Sequence, residues 1–213
     1  MPFTLYVIGN IASGKSTACR YLNGLGARHI DLDQIAKSLY VPGSSIVDSI
    51  AEEFGWDVLD SEGAVRLHVL AERAFIDKEH VETLNAIVHP VLLSYLSNLL
   101  LPVPCCSLVV PAPELTVVEI SAPASFTESF GLADEVIAIT APLSVRRARA
   151  IERGMDASDF DARASLQPTE DELLVMADTP IDNSAGDDTL FRALDMWIAE
   201  HGIDLSGEEG RDV

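Results

Sequence analysis

The stretch VIGNIASGKSTACRYL, residues 7–22, decides the fold. Gly9, Gly14, Lys15 and Ser16 stand in it at the spacing Gly-x-x-x-x-Gly-Lys-Ser. Just before, FTLYVIG is a short apolar run rich in β-forming residues and ended by glycine, which reads as a buried strand. Just after, GKSTACRYLNGLGA reads as a helix closed by Gly24 and Gly26. RHIDLD then reads as a second short strand ending in two acids. Strand, glycine loop, helix and strand begin a βαβ unit, so the expected class is α/β with a parallel sheet.

The chemistry of such a loop is that of an anion site. Its glycines let backbone N–H groups turn inward around phosphates. The helix that follows adds partial positive charge at its first turn. Lys15, one of only three lysines in the chain, is expected to reach the β- and γ-phosphates, and the Ser16 hydroxyl to serve Mg2+. Asn10 and Ala12 fall at the variable positions. Neither is proline, so no N–H donor is lost, and asparagine tolerates positive φ better than most residues.

From residue 34 to 103 the pattern turns helical. QIAKSLY, SSIVDSIAEEFG, AVRLHVLAERAFID and KEHVETLNAIVHPVLLSYLSNLLL all carry helical spacing, and a four-helix insertion is expected. PVPCCSLVVPAPE reads as a connection or irregular edge. LTVVEIS and DEVIAIT return to strand patterning, PLSVRRARAIERG is helical, and DASDFDARASLQPTEDELLVMAD supplies one or two further helices. TPIDNSAG reads as a short strand into a turn, DDTLFRALDMWIAEHG as a closing amphipathic helix, and residues 203–213 as a frayed acidic tail.

Composition narrows the function. The chain has 213 residues, 48% of them hydrophobic, and a net charge of −20. That charge argues against a nucleic-acid binder and against an anionic membrane surface, since both need clustered lysine and arginine. Residues 152–213 hold 17 acidic and 4 basic residues. The cysteines, Cys19, Cys105 and Cys106, form neither a disulfide framework nor a metal spacing and read as reduced thiols. The N-terminus lacks a signal-peptide pattern, and His89, Pro90 and Asn98 interrupt the longest apolar run, so a cytoplasmic protein is expected.

Two further features suggest chemistry. Asp31 and Asp33 are two apart and would share one face of a strand. Asp33 would sit at the strand's carboxyl end, where it can accept a proton from a substrate hydroxyl or hold magnesium water, or simply cap the following helix. Within PLSVRRARA, an island of arginine in an acidic chain, Arg146, Arg149 and Arg153 fall on one side of a helix while Arg147 points elsewhere. They read as a phosphate clamp or as a solvated face paired with acids. Gly154 would let such a lid close.

The order of these motifs resembles the dephospho-coenzyme A kinase family, from about Leu5 to Trp197. GNIASGKST is similar to the family's phosphate loop, and GARHIDLDQIAKSLYVPGS to its Asp-x-Asp segment. IAEEFG, LAERAF and LNAIVHP resemble its helical region, RRARAIERGM its lid, ARASLQ its Arg-x-x-x-Gln, and ADTPIDNSAG its Ala-Asp…Asp-Asn ending.

The resemblance implies a P-loop NTPase fold: a parallel sheet flanked by helices, with a helical substrate-binding insertion and a helical lid. Residues 1–33, 104–141 and 177–202 would form the nucleotide-binding core, 34–103 the coenzyme A region and 142–176 the lid. The implied reaction moves the γ-phosphate of ATP, with Mg2+, to the ribose 3′-hydroxyl of dephospho-CoA. Asp33 would be the base or hydroxyl-orienting group with Asp31 in support, and His89 would line the substrate site or pack its helix. Lys15, Arg149 and Arg153 would stabilise the transferring phosphoryl. ATP contacts would come from Gly9, Asn10, Ile11, Ala12, Ser13, Gly14, Lys15, Ser16 and Thr17, with Arg149 and Asn183.

The chain departs from the family pattern at three places. Asn10 stands where the loop has a second glycine. After the central strand, SAPASFTES keeps Pro123, loses two leucines and sets Glu128 one residue late, while Ser121 takes the place of an acid and Glu119 lies two residues upstream. The usual arginine of the helical region falls on Leu67, beside Arg66. A related kinase for nucleosides or nucleotides, or a non-catalytic ATP-binding module, are the competing readings.

Overall fold

The computed structural model describes residues 2–100 and 113–205. In chain order the elements are β1 (Phe3–Ile8), α1 (Lys15–Gly24), β2 (Arg28–Asp31), α2 (Leu32–Ser38), α3 (Ser45–Phe54), α4 (Leu67–Ala74) and α5 (Lys78–Leu100). There follow β3 (Leu115–Ile120), β4 (Glu135–Thr140), α6 (Leu143–Glu152), α7 (Ala157–Ser165), α8 (Glu170–Met176), β5 (Thr179–Asp182) and α9 (Asp187–His201). PVPCCSLVVP, with Cys105 and Cys106, lies outside the described residues. The chain divides into two compact units, residues 1–31 with 102–213, and residues 32–101.

The first unit is an α/β layer structure. Its five strands are all parallel, in the order β2-β3-β1-β4-β5. Every residue of β3 is buried, as are five of the six in β4 and the last four of β1. Burial on both faces explains why these strands are continuous apolar runs and not alternating ones. One exception is chemical: Glu119 is a buried acid in LTVVEI.

On one face of the sheet, Leu5, Val7, Val117, Ile137 and Ile139 pack against α1 and α9. Helix α1 contributes Ala18, Cys19 and Leu22, a helical stripe at i, i+1 and i+4. Helix α9 contributes Leu190, Leu194 and Trp197. Asp187 and Asp188 complement its N-terminal dipole, and Gly202, in the left-handed region, closes it. Ile203 and Leu205, expected in the tail, instead pack against this core because they extend its apolar surface past the helix cap. Residues 206–213 lie outside the described residues.

The second unit is helical. Among the described residues it holds α2 to α5 and one short 3-10 turn, Trp56–Val58. Ile46, Val47, Ile50, Leu70, Ala74, Val88, Leu92 and Leu96 are buried. Arg73 bridges to the Asp57 carboxylate and the Phe54 carbonyl, and Arg66 donates to the Asp57 carbonyl. Leu67 is the first residue of α4 and is half-exposed. Helix α5 runs through Pro90 without interruption. It is long and apolar enough to cross a membrane by length and composition, with 17% of that window buried. His89, Pro90 and Asn98 interrupt the apolar run without taking the helix below that threshold.

Candidate active site

Parallel strands end at one edge of the sheet, the edge where open α/β sheets bind ligands. The loop from Gly9 to Gly14 leaves β1 there. A Cβ at Gly9 would lie 2.6 Å from the Ile139 carbonyl oxygen, so only glycine lets the loop pass β4. Gly14 has φ +109°, and a Cβ there would stand 2.1 Å from Asn183 Nδ2. The Ser13 N–H donates to the Asn10 carbonyl at 3.1 Å, which closes the turn. Positive φ falls on Ala12, at +60°, and not on Asn10. Asparagine's tolerance for that region is therefore not what admits it here.

Asn10 has another task. Its Nδ2 donates to the Pro168 carbonyl at 2.8 Å, and the neighbouring Ile11 N–H donates to Gln167 Oε1 at 2.8 Å. Gln167 and Pro168 connect α7 to α8, so the phosphate loop is latched to the segment read as a lid.

The charged centre is Glu119. Its Oε1 accepts from Lys15 Nζ at 2.9 Å and from Ser16 Oγ at 2.5 Å, and its Oε2 lies 3.1 Å from His29 Nε2. Lys15 Nζ also donates to Ser121 Oγ at 3.0 Å. Burial alone would push the Glu119 carboxyl up; His29, Lys15 and Ser16 outweigh it and hold it at about 2. Ser121, which stands at the place of the family pattern's acid, keeps a hydroxyl on the same lysine that Glu119 binds. A lone acid inside an apolar strand is the signal that finds this residue, since a buried charge needs partners. His29 left no comparable mark, and Gln167 was legible only as the glutamine of ARASLQ, without its partner.

Asp31 ends β2 in register with Glu119 and is half-buried. Asp33 does not share its strand. The strand stops at Asp31, and Asp33 is exposed in the first turn of α2. The reason is local: the Leu32 side chain is buried, and an acidic residue suits a helix start as well as a strand end. His89 is half-buried in α5.

The arginines divide the work differently from a uniform clamp. Arg146 is buried, and its Nε donates to the Ala141 carbonyl at 3.0 Å. It is a strut between β4 and α6, and its Nη1 also donates to the Ile11 carbonyl of the loop at 3.5 Å. Arg147 pairs with Asp161 and ties α6 to α7. Arg149 Nη2 donates to the Asn183 carbonyl at 2.8 Å. Arg153 caps the end of α6. Arg149 and Arg153, with Gly186 and Asp188, line a cavity of about 390 Å³. Asn183 is a hub: its N–H bonds the Thr140 carbonyl and its Nδ2 the Ser13 carbonyl, both at 2.8 Å.

Six buried side-chain polar atoms lack a hydrogen-bond partner among the described residues, and four border this loop: Asn10 Oδ1, Ser13 Oγ, Arg149 Nη1 and Asn183 Oδ1. Each such atom costs about 1–3 kcal/mol. Their concentration at one place marks a surface built to meet a polar ligand. The geometry offers cations, N–H donors and a hydroxyl–carboxylate pair at a helix start, which suits a phosphorylated substrate.

Comparison with known proteins agrees. The family model for dephospho-CoA kinase matches residues 4–188. A dephospho-CoA kinase of Corynebacterium diphtheriae is 35% identical over 192 residues, covering 89% of this chain and 92% of that one. Among solved structures, TT1252 from Thermus thermophilus is similar at TM-score 0.66 and 25% identity, covering 93% of this chain and 97% of that one. The dephospho-CoA kinase from Campylobacter jejuni is similar at TM-score 0.62 and 24% identity, covering 95% and 99%. This chain belongs to the dephospho-CoA kinase family.

Proposed function

We propose that this chain transfers the γ-phosphate of ATP to the ribose 3′-hydroxyl of dephospho-CoA, the last step of coenzyme A synthesis, in the cytoplasm. The observation that carries the reading is the Lys15–Glu119–Ser16 cluster at the head of α1, ringed by unpartnered buried polar atoms.

Backbone N–H groups of residues 9–17 cradle the phosphates. Lys15 turns from Glu119 toward the β- and γ-phosphates, and Arg149 and Arg153 stabilise the charge that develops on the transferring group. Asn183 holds the loop and Arg149 in one frame. Ser16 and Glu119 offer oxygen donors that fit Mg2+, which supplies neutralisation of the phosphate charge when bound. Residues 34–103 take the acceptor, with His89 lining it. Asp33 orients the 3′-hydroxyl and receives its proton, and Asp31 supports it.

The test is turnover by the purified chain. ATP consumption should depend on dephospho-CoA, with coenzyme A as the product. ATP binding without binding or phosphorylation of dephospho-CoA would overturn the acceptor assignment, and a panel of nucleosides and nucleotides would then identify the true one.

A further inference from the structure

Beside the phosphate loop, and sharing Glu119 with it, lies a second group of donors, of which phosphoryl transfer does not use Cys19 and His29. Cys19 sits on the buried stripe of α1, His29 on β2, and Glu119 at the end of β3. One ligand atom from each lies within 4.8 Å of the others. The carboxylate is shared in an orderly way: Oε1 serves Lys15 and Ser16, while Oε2 faces His29 Nε2 at 3.1 Å. The cluster therefore presents sulfur, imidazole nitrogen and carboxylate oxygen from three elements of the sheet-and-helix frame.

We propose that Cys19, His29 and Glu119 form a binding site for a borderline-soft divalent cation of the zinc class, beneath the phosphate loop. Thiolate, imidazole and carboxylate with water in the fourth position is a ligand set this class takes, with bonds of about 2.0–2.3 Å. Those bonds set tetrahedral ligand atoms about 3–4 Å apart, close to the 3.1 Å already found between His29 and Glu119. Magnesium avoids sulfur and favours oxygen, so the hydroxyl side at Ser16 and the thiol side at Cys19 sort two kinds of ion. Glu119 and Asp31 offset the charge brought next to Lys15. His29, whose side chain is 21% exposed, opens the way in from solvent.

Binding is an exchange of protons for metal. The buried Cys19 side chain enters the site as a free thiol. The S–H bond breaks, the sulfur–metal bond forms, and the proton leaves to solvent. The site stands independently of the acceptor assignment.

Cobalt(II) is the probe, added to the reduced full-length chain and followed by absorbance. A thiolate-to-cobalt charge-transfer band should saturate at a single equivalent and be bleached by zinc. Cys19→Ala and Cys19→Ser should both abolish it, and Cys105→Ser with Cys106→Ser should retain it. His29→Val, on the exposed side of the cluster, should weaken cobalt affinity at least about ten-fold. Absence of the band in the unmodified chain would overturn the proposal. So would a band that survives loss of Cys19, or unchanged affinity in His29→Val.

Discussion

Glu119 concentrates the electrostatics of the site in one side chain. Its carboxyl is held at about 2 against an ordinary 4.5. A depressed carboxyl gives stability that is fully present above pH 4.5 and lost as pH falls toward 2. Between pH 5 and 3 it should contribute a loss on the order of 2 kcal/mol. Glu119→Gln should remove that component, read as a smaller drop in the urea midpoint over the same interval; an unchanged drop would assign the acid sensitivity elsewhere. Ala12 offers a separate test. Left-handed backbone costs a non-glycine residue about 1–2 kcal/mol, against about 0.5–1 kcal/mol of glycine's extra unfolded-state entropy. Ala12→Gly should therefore raise the melting temperature slightly, and a lower one would contradict the conformational argument. For Asp33, replacement by Asn should lower kcat by about 10²–10⁴ and spare ATP affinity. Unchanged turnover would remove it from the mechanism.

At the scale of elements, α6 to α8 do two jobs with neighbouring residues. Arg147 serves the joint between α6 and α7, while Arg149 faces Asn183 and the loop. Arg149→Ala should cut kcat at least about 10²-fold, whereas Arg147→Ala, which breaks an exposed ion pair, should leave turnover nearly unchanged. Equal losses in the two variants would mean that α6 acts as a scaffold only. The latch adds a further prediction. Gln167→Ala removes the acceptor of the Ile11 N–H, so exchange of that amide should speed up and KM for ATP should rise with little change in global stability.

These elements also separate what sequence carries from what it does not. The strands β1, β3 and β4, helix α1 and the glycine loop were legible because local pattern and burial agree in a parallel sheet. The end of β2 was not, since IDLD fits a strand end and a helix start equally, and only the burial of Leu32 decides between them. Helical spacing set Arg146, Arg149 and Arg153 on one side of α6. It could not tell that Arg146 is spent on the carbonyls of Ala141 and Ile11. The Gln167–Ile11 bond spans 156 positions, and no local signal encodes such a contact.

Over the whole molecule, the loop, the two aspartates, the arginines and the order in which they occur were all present in the chain as written. The net charge of −20 leaves the cations scarce, and Lys15, Arg146, Arg149 and Arg153 are gathered in the unit that carries the loop. That economy of positive charge fits a phosphate site. The most direct measurement follows the labelled γ-phosphate of ATP in the presence of dephospho-CoA and locates it on the product. Label on the ribose 3′-oxygen, absent without dephospho-CoA and lost in Lys15→Ala, is the predicted result. Label that stays in ATP, appears only as inorganic phosphate, or moves to another acceptor in preference would contradict the assignment.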